Sequence, residues 1–183
     1  MLEDSFIDIY DDILTPSECD CLISEFESSN SLRPGLSSYG YDPRIKKSIE
    51  IDDCRFSDGT VISDEIGRVL VPCVDQYNRK YKALSQLSRW KIDDEYTFKK
   101  FETENDGYKV WHTEHGPGEA CNRIFVWQIY LNNALSGTEF MYYPPVEARR
   151  GRGVIWPAGW THVHRSALNK GIKYILSGWI SYG

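Results

Sequence analysis

The residues best suited to chemistry are four histidines, which form two close pairs in the second half of the chain. The first pair flanks a carboxylate in the segment Trp111-His112-Thr113-Glu114-His115, and the second pair, His162 and His164, follows about fifty residues later. A β-strand places residues i and i+2 on one face, so His112 and Glu114 can point the same way. One histidine of the second pair would complete a site of two histidines and one carboxylate. Such a site leaves positions of iron(II) open for oxygen and substrate.

The elements that would position these residues change in character near residue 96. Short aromatic and β-branched runs, separated by Gly, Pro and Asn turns, follow one another to the C-terminus. This pattern predicts a barrel or a sandwich. The predicted strands cover residues 96–102, 108–115, 123–131, 139–143, 153–156, 162–166 and 172–182.

The first 95 residues predict a mixed flank of helices and one short strand, over residues 6–10. Thr15 and Glu18 form a capping box around Pro16, which suits the first position of a helix. Apolar residues at helical spacing predict a second helix over residues 63–82, which Pro72 should kink or divide. We expect a single domain over residues 1–183, with the flank over 1–95 and the catalytic core over 96–183.

Composition excludes several classes of function. The chain has 183 residues, 41% of them hydrophobic, and a net charge of −6, which argues against a broad surface for nucleic acid. Its five cysteines are odd in number and lack zinc-site spacing, so we expect reduced thiols. No apolar run is long enough to span a bilayer, and the acidic start has no signal core. We therefore expect a cytoplasmic protein that binds neither nucleic acid nor membrane.

Several segments, in this order and spacing, make the chain resemble the 2-oxoglutarate and iron(II)-dependent dioxygenases, specifically their prolyl 4-hydroxylase-like branch. They cover residues 107–114, 123–132, 137–140, 151–158, 160–165 and 171–179. The resemblance implies a mostly β fold with flanking helices (α+β). Its core would be a double-stranded β-helix (jelly roll), with the N-terminal helices packed on one sheet. It also implies iron(II), 2-oxoglutarate and O2 as cofactors and cosubstrates, with ascorbate as a candidate.

The resemblance also assigns metal ligands. His112 and Glu114 match the family's His-x-Asp pair, although a glutamate replaces the usual aspartate. In the family, the distal histidine is followed nine or ten residues later by a Lys or Arg that binds oxoglutarate. Lys173 lies nine residues after His164 and eleven after His162. The spacing favours His164 as the third ligand and leaves His162 as the alternative.

Further roles follow from the same resemblance. Lys173 would pair with the distal carboxylate of 2-oxoglutarate, and the hydroxyl of Tyr130 would join that contact. Trp179 matches a tryptophan near the cosubstrate, although core packing explains it equally well. Arg123 matches a position that meets substrate, with a solvated strand end as the alternative, and Tyr108 would line the mouth of the cavity.

The function expected from this resemblance is hydroxylation of an unactivated C–H bond, with release of succinate and carbon dioxide. The expected substrate is a prolyl residue of a peptide or protein, or a small molecule such as free proline. The alternative is a cupin-like protein that binds a metal and a ligand without turnover. Lys173 discriminates between the two, because a non-catalytic binder has no need of a buried cation facing a dicarboxylate.

Overall fold

Two α-helices cover one face of a large antiparallel sheet. The computed structural model describes residues 4–183, apart from the side chain of Asp53, so the first three residues of the acidic start lie outside it. The helices are α1 (Pro16–Ser28) and α2 (Val61–Lys80). The strands in the first half of the chain are β1 (Asp8–Tyr10), β2 (Arg33–Pro34), β3 (Lys46–Lys47), β4 (Ile49–Arg55) and β5 (Trp90–Phe101). Those in the second half are β6 (Gly107–Tyr108), β7 (Arg123–Tyr130), β8 (Thr138–Phe140), β9 (Arg152–Pro157), β10 (His164–Ser166) and β11 (Lys173–Tyr182).

The strands build two layers. Seven of them form an antiparallel sheet in the order β1-β9-β7-β11-β5-β4-β2, and the short pairs β8–β10 and β3–β6 lie over its other face. The two layers meet through their side chains, as where Phe140 of β8 packs edge-on against Trp156 of β9 at a centroid distance of 5.5 Å. The mostly β jelly-roll architecture with helices on one sheet, expected from the sequence, is confirmed.

Alternation along the central strands divides the interior into two clusters. On β5, β7 and β11, every second side chain points to the helices, and the residues between them point into the barrel. The outward set packs under α1 and α2 and includes Tyr96, Phe98, Trp127, Ile129 and Leu176. The inward set includes Thr97, Lys99, Gln128, Tyr130, Lys173 and Ser177. The same three strands therefore support the helices and line the barrel.

Helix α1 begins where the sequence predicts it, and α2 begins and ends two residues earlier than the predicted range 63–82. Thr15 caps α1 with the full capping box: its side chain accepts from the backbone N–H of Glu18, and the Glu18 carboxylate accepts from the backbone N–H of Thr15 at 2.6 Å. Helix α2 continues through Pro72 as one helix, so the division considered from the sequence does not occur. Its buried face, from Ile66 to Tyr77, belongs to the core cluster under the sheet.

Other elements differ from the prediction. The strand expected over residues 108–115 pairs regularly only at Gly107–Tyr108, and then again at an isolated bridge from His112. Strand β4 was not predicted, because the acidic pair Asp52–Asp53 interrupts its apolar alternation. Within the described part of the chain, neither α-helix is long and apolar enough to cross a membrane.

Candidate functional site

Two distant segments meet at His112 and His164. Each residue donates its backbone N–H to the carbonyl of the other, at 3.0 Å in both directions. The backbone N–H of Glu114 donates to the carbonyl of Ala158, just after β9, at 3.1 Å. These three bonds place the side chains of His112, Glu114 and His164 at the same point, although the segment around residues 112–114 is not a regular strand.

The three side chains face one another closely. The Oε1 atom of Glu114 lies 3.5 Å from Nε2 of His112 and 3.6 Å from Nε2 of His164. The two imidazole rings are 4.4 Å apart between centroids. Two bonds of about 2.1 Å, typical of metal–nitrogen and metal–oxygen contacts, can bridge such separations. In residues 4–183 this is the one group of histidine, cysteine and acidic side chains close enough to hold a metal ion.

The hydrogen bonds of both rings decide which nitrogen is free. The Nδ1 atom of His112 lies 3.0 Å from the carbonyl of Val110, and Nδ1 of His164 lies 2.9 Å from the carbonyl of His162. A carbonyl oxygen only accepts, so each Nδ1 carries the proton. In the neutral imidazoles each Nε2 therefore presents a lone pair toward Glu114, as a metal ligand requires. Burial lowers the pKa of His112, which favours this neutral form.

Glu114 is held from the side opposite the histidines. Its Oε2 atom accepts from the indole N–H of Trp179 at 3.0 Å and lies 3.5 Å from Nη1 of Arg123. The guanidinium of Arg123 in turn stacks on the ring of Trp179 at 3.5 Å. Burial alone would raise the pKa of Glu114, but the close contacts of its Oε1 atom with His112 and His164 outweigh burial and hold this pKa well below its usual range. The carboxylate is therefore ionised, with Oε1 directed at the two imidazoles.

The other two histidines lie outside this group. His162 lies in a short 3-10 turn, where its Nε2 donates to the carbonyl of Ser5 at 2.7 Å and its Nδ1 accepts from the hydroxyl of Thr161 at 2.9 Å. Its ring stacks on Tyr143. Both nitrogens are used, so His162 presents none to a metal. His115 is exposed at the surface.

A cavity of about 50 Å³ opens beside Glu114 and the two imidazoles, inside the barrel. Lys173 lies at the inner end of the barrel and is only 2% exposed. Its Nζ atom has two long contacts, at 3.4 Å to the hydroxyl of Ser136 and to the carbonyl of Gly137, and lies over the ring of Phe101. No carboxylate of the described residues lies within 4.0 Å of it, and burial lowers its pKa to about 8.

Gly137 allows the backbone to pass close to the carbonyl group of Val146, near Lys173. A Cβ atom at this position would lie 1.8 Å from the carbonyl oxygen of Val146, so no larger residue fits without movement of the chain. A glycine at position 137 is therefore required by the space available. It keeps the β8 end of the barrel closed over the lysine.

The structure places the remaining predicted residues as follows. Tyr130 is buried beside this end of the barrel, but its hydroxyl is hydrogen-bonded to Thr138 at 2.7 Å rather than to Lys173. Tyr108 stacks on the imidazole of His112 at 3.7 Å and lines the cavity. Trp179 and Arg123 contact Glu114 directly, which the sequence did not predict.

Sequence reasoning missed most of the polar side chains in the cavity. Lys99, Gln128, Thr138 and Ser177 line it, and they lie on strands whose other face is apolar. A lysine or glutamine at alternate positions of a buried strand is the signal that could have found them. That signal becomes specific only when the strand is known to face a cavity.

Comparison with known proteins supports the fold. No family model matches this chain, and no curated protein sequence matches it. Among solved structures, a viral collagen prolyl hydroxylase from Paramecium bursaria Chlorella virus-1, in complex with 2-oxoglutarate, aligns with a TM-score of 0.71 at 14% identity, covering 99% of this chain and 98% of that one. A prolyl hydroxylase from Trichoplax adhaerens, in complex with a peptide fragment of hypoxia inducible factor, aligns with a TM-score of 0.71 at 15% identity, covering 99% and 86%.

A further match performs a different reaction. A non-heme alpha ketoglutarate dependent epimerase of nogalamycin biosynthesis aligns with a TM-score of 0.63 at 12% identity, covering 96% of this chain and 78% of that one. At these identities the comparisons establish a shared fold. The chain therefore has the fold of the prolyl hydroxylases, as the resemblance in its sequence implied, while its reaction must be argued from its own residues.

Proposed function

We propose that this protein is an iron(II) and 2-oxoglutarate-dependent oxygenase. The observation that carries the proposal is the convergence of His112, Glu114 and His164 from two distant segments. Both Nε2 atoms are unprotonated and face one carboxylate oxygen. Two neutral imidazoles and one carboxylate on the same side are the donor set of the oxygenases that bind iron(II) with open positions.

Lys173 supports 2-oxoglutarate as the cosubstrate. A buried ammonium with two long polar contacts is costly unless an anion completes its surroundings. The distal carboxylate of 2-oxoglutarate is such an anion, and its keto acid end can chelate a metal held by the three ligands. Tyr130 and Thr138 supply hydroxyl groups at the same end of the barrel.

With iron(II) and 2-oxoglutarate bound, O2 would be the oxidant: one oxygen atom would go to succinate, formed with carbon dioxide from 2-oxoglutarate, and the other to the C–H bond. This chain's own residues orient the ligands and exclude water. Trp179 and Arg123 hold the second oxygen of Glu114, so the longer side chain keeps one orientation despite its extra methylene. Phe101, Val126 and Trp156 form apolar walls around the cavity.

Hydroxylation of a prolyl residue in a peptide, or of a small amino acid, is the proposed reaction. Two of the neighbours are named prolyl hydroxylases and the epimerase is not, so the fold alone does not choose the substrate. Ascorbate is a candidate reductant. The five cysteines form no disulfide with one another, which favours a reducing compartment such as the cytoplasm.

Anaerobic absorption spectroscopy tests the proposal. Protein, iron(II) and 2-oxoglutarate should together give a weak visible charge-transfer band from the chelate. His164→Ala and Glu114→Ala should each weaken iron binding by more than about 100-fold, because even the partners of ligands contribute 10–100-fold. His115→Ala, which removes an exposed histidine, is the control and should leave the band unchanged.

Absence of the band in the wild-type protein would contradict the proposal. So would a band that survives in His164→Ala but disappears in His162→Ala. In air, wild-type protein should consume 2-oxoglutarate even without substrate. A panel of proline-containing peptides and free amino acids can then be searched for a mass gain of one oxygen. Metal binding without any consumption of 2-oxoglutarate would favour the cupin-like binder instead.

A further inference from the structure

The cavity beside the candidate metal ligands is lined by a lysine, Lys99, that the proposed reaction does not use. Lys99 lies on the inward face of β5, and its Nζ atom donates to the hydroxyl of Ser177 on β11 at 2.7 Å. This is its one hydrogen bond to a described residue, so two of its three N–H groups remain free for a ligand. The side chain is partly accessible, and that accessibility comes from the cavity it lines. Burial lowers the pKa of Lys99, as expected for an ammonium away from bulk water.

The other lysine and the arginine that line the cavity already have carboxylate partners. Lys46 pairs with Glu50 at 2.9 Å, and Arg165 pairs with Glu139 at 2.8 Å. For Lys99, no carboxylate of the described side chains lies within 4.0 Å. The acidic residue of the cavity itself, Glu114, is directed at His112 and His164. Lys99 is therefore a cation that lines the cavity and contacts no carboxylate of the described side chains.

Lys99 and Lys173 occupy different levels of the barrel. In the pairing of β5 with β11, Lys173 lies opposite Phe101, and Lys99 lies opposite Ile175. Two residues along a strand correspond to about 6.6 Å, so Lys99 is one inward position nearer to Trp179 and Glu114. The two ammonium groups therefore make separate anion sites, one at the inner end of the barrel and one beside the candidate metal ligands.

The charges in the proposed complex indicate different roles for Lys99 and Lys173. In the proposed complex Glu114 is paired with Arg123, so iron(II) and Lys173 carry three positive charges against the two negative charges of 2-oxoglutarate. Both carboxylates of the cosubstrate are already placed, one on the metal and one on Lys173. Lys99 then remains as a positive charge in the cavity, and burial makes an unpaired charge unfavourable.

We propose that Lys99, with the hydroxyl of Ser177, binds a carboxylate of the substrate. This inference rests on the proposed function and narrows its substrate class. The substrate is a small carboxylic acid, such as a free amino acid, or the C-terminal residue of a peptide. A residue in the middle of a peptide chain has no carboxylate on its backbone and leaves Lys99 unpaired.

Matched pairs of acids and amides test the inference. A panel of amino acids and dipeptides, each as the free acid and as its C-terminal amide, is added to wild-type protein loaded anaerobically with iron(II) and 2-oxoglutarate. Binding is measured as a rise in melting temperature and as a change in the chelate band. At least one free acid should bind, and its amide should bind about 10-fold or more weakly, because a hydrogen bond to a charged group is lost.

Two variants locate the effect. Lys99→Met keeps most of the methylene stem and should remove the preference for the acid. Lys91→Met removes an exposed lysine from the same strand and should retain the preference. The affinity for 2-oxoglutarate should stay within about 2-fold of wild type in Lys99→Met, since its carboxylates bind elsewhere. The acid–amide comparison uses wild-type protein, so it holds even if the variant folds poorly.

Several outcomes would overturn the inference. These are equal binding of acid and amide, an unchanged preference in Lys99→Met, and no binding by any member of the panel. If Lys99→Met lost 2-oxoglutarate as strongly as Lys173→Met, the lysine would serve the cosubstrate instead. A normal chelate band in each of these cases would show that the proposed function stands while this inference fails. A missing band in wild type would end both.

Discussion

The two faces of β5, β7 and β11 carry opposite kinds of side chain, although their residues alternate along the same strands. The face toward the helices buries large apolar groups, among them Phe98 and Trp127, against α1 and α2. The face toward the barrel buries Lys173, Gln128 and Ser177, and it surrounds the candidate metal ligands. Burial on the first face stabilises the fold. On the second it leaves charged groups with few protein partners, which is the state expected of groups that bind a ligand.

This comparison predicts that substitutions on the helix-facing side affect folding rather than binding. Phe98 is 1% exposed and packs on Phe26 at a centroid distance of 4.6 Å. Phe98→Ala should lower the free energy of unfolding by about 3–5 kcal/mol, because it removes buried apolar surface and leaves a cavity. Urea unfolding measures this loss. Tyr39→Ala, at a residue 86% exposed, is the control and should change stability by less than about 0.5 kcal/mol.

If folded Phe98→Ala lost as much affinity for iron(II) as His164→Ala does, the two faces would not have separate roles in folding and in binding. The measurement is made at low temperature, where the destabilised variant is still folded.

On the barrel-facing side, we expect substitution of Lys173 to raise the free energy of unfolding rather than to lower it. Burial lowers its pKa to about 8, against roughly 10.4 in an unfolded chain. Below pH 8 the lysine is charged in both states, and the folded state bears the full cost of its burial. Lys173→Met should therefore increase the free energy of unfolding at pH 7, by about 3 kcal/mol, while weakening the binding of 2-oxoglutarate.

The pH dependence sharpens this prediction. Between pH 8 and about 10.4 the unfolded chain binds more protons at this site than the folded protein does, so wild-type stability should rise with pH relative to Lys173→Met. Urea unfolding of both proteins at several pH values gives the difference, with Lys91→Met as the control for loss of an exposed lysine. A variant less stable than wild type at pH 7 would show that Lys173 is well satisfied in the folded protein.

The smallest expected effect concerns Trp179, which lies at the edge of the barrel. Trp179→Phe keeps an aromatic ring beneath Arg123 and removes the N–H that donates to Glu114. We expect iron(II) affinity to fall about 10-fold, as for other partners of metal ligands, with little change in stability. Metal titration followed by the chelate band measures it. Trp160→Phe, at a residue 76% exposed, should have no effect, and equal effects of both substitutions would exclude a specific role for the indole.

Local patterns in the sequence were sufficient for much of the fold. The capping box at Thr15 and Glu18 predicted the start of α1, and the short apolar runs predicted most strands of the second half within a few residues. Strand β4 was missed because its acidic residues resemble a loop. The strand around His112 was predicted too long, because that segment pairs with its neighbours at only a few positions.

The amino-acid sequence alone showed which chemical groups were available: two histidine pairs, a carboxylate inside the first pair, and Lys173 nine residues after His164. Tertiary structure decided which of these groups meet. His162 is used by Ser5 and Thr161, Glu114 is held by Trp179 and Arg123, and Lys99 faces the cavity. The physical reason is the separation in sequence between the residues that make each contact. Caps and alternation depend on neighbours in the chain, whereas each of these contacts, except that of His162 with Thr161, joins residues from separate segments that only the pairing of the sheets brings together.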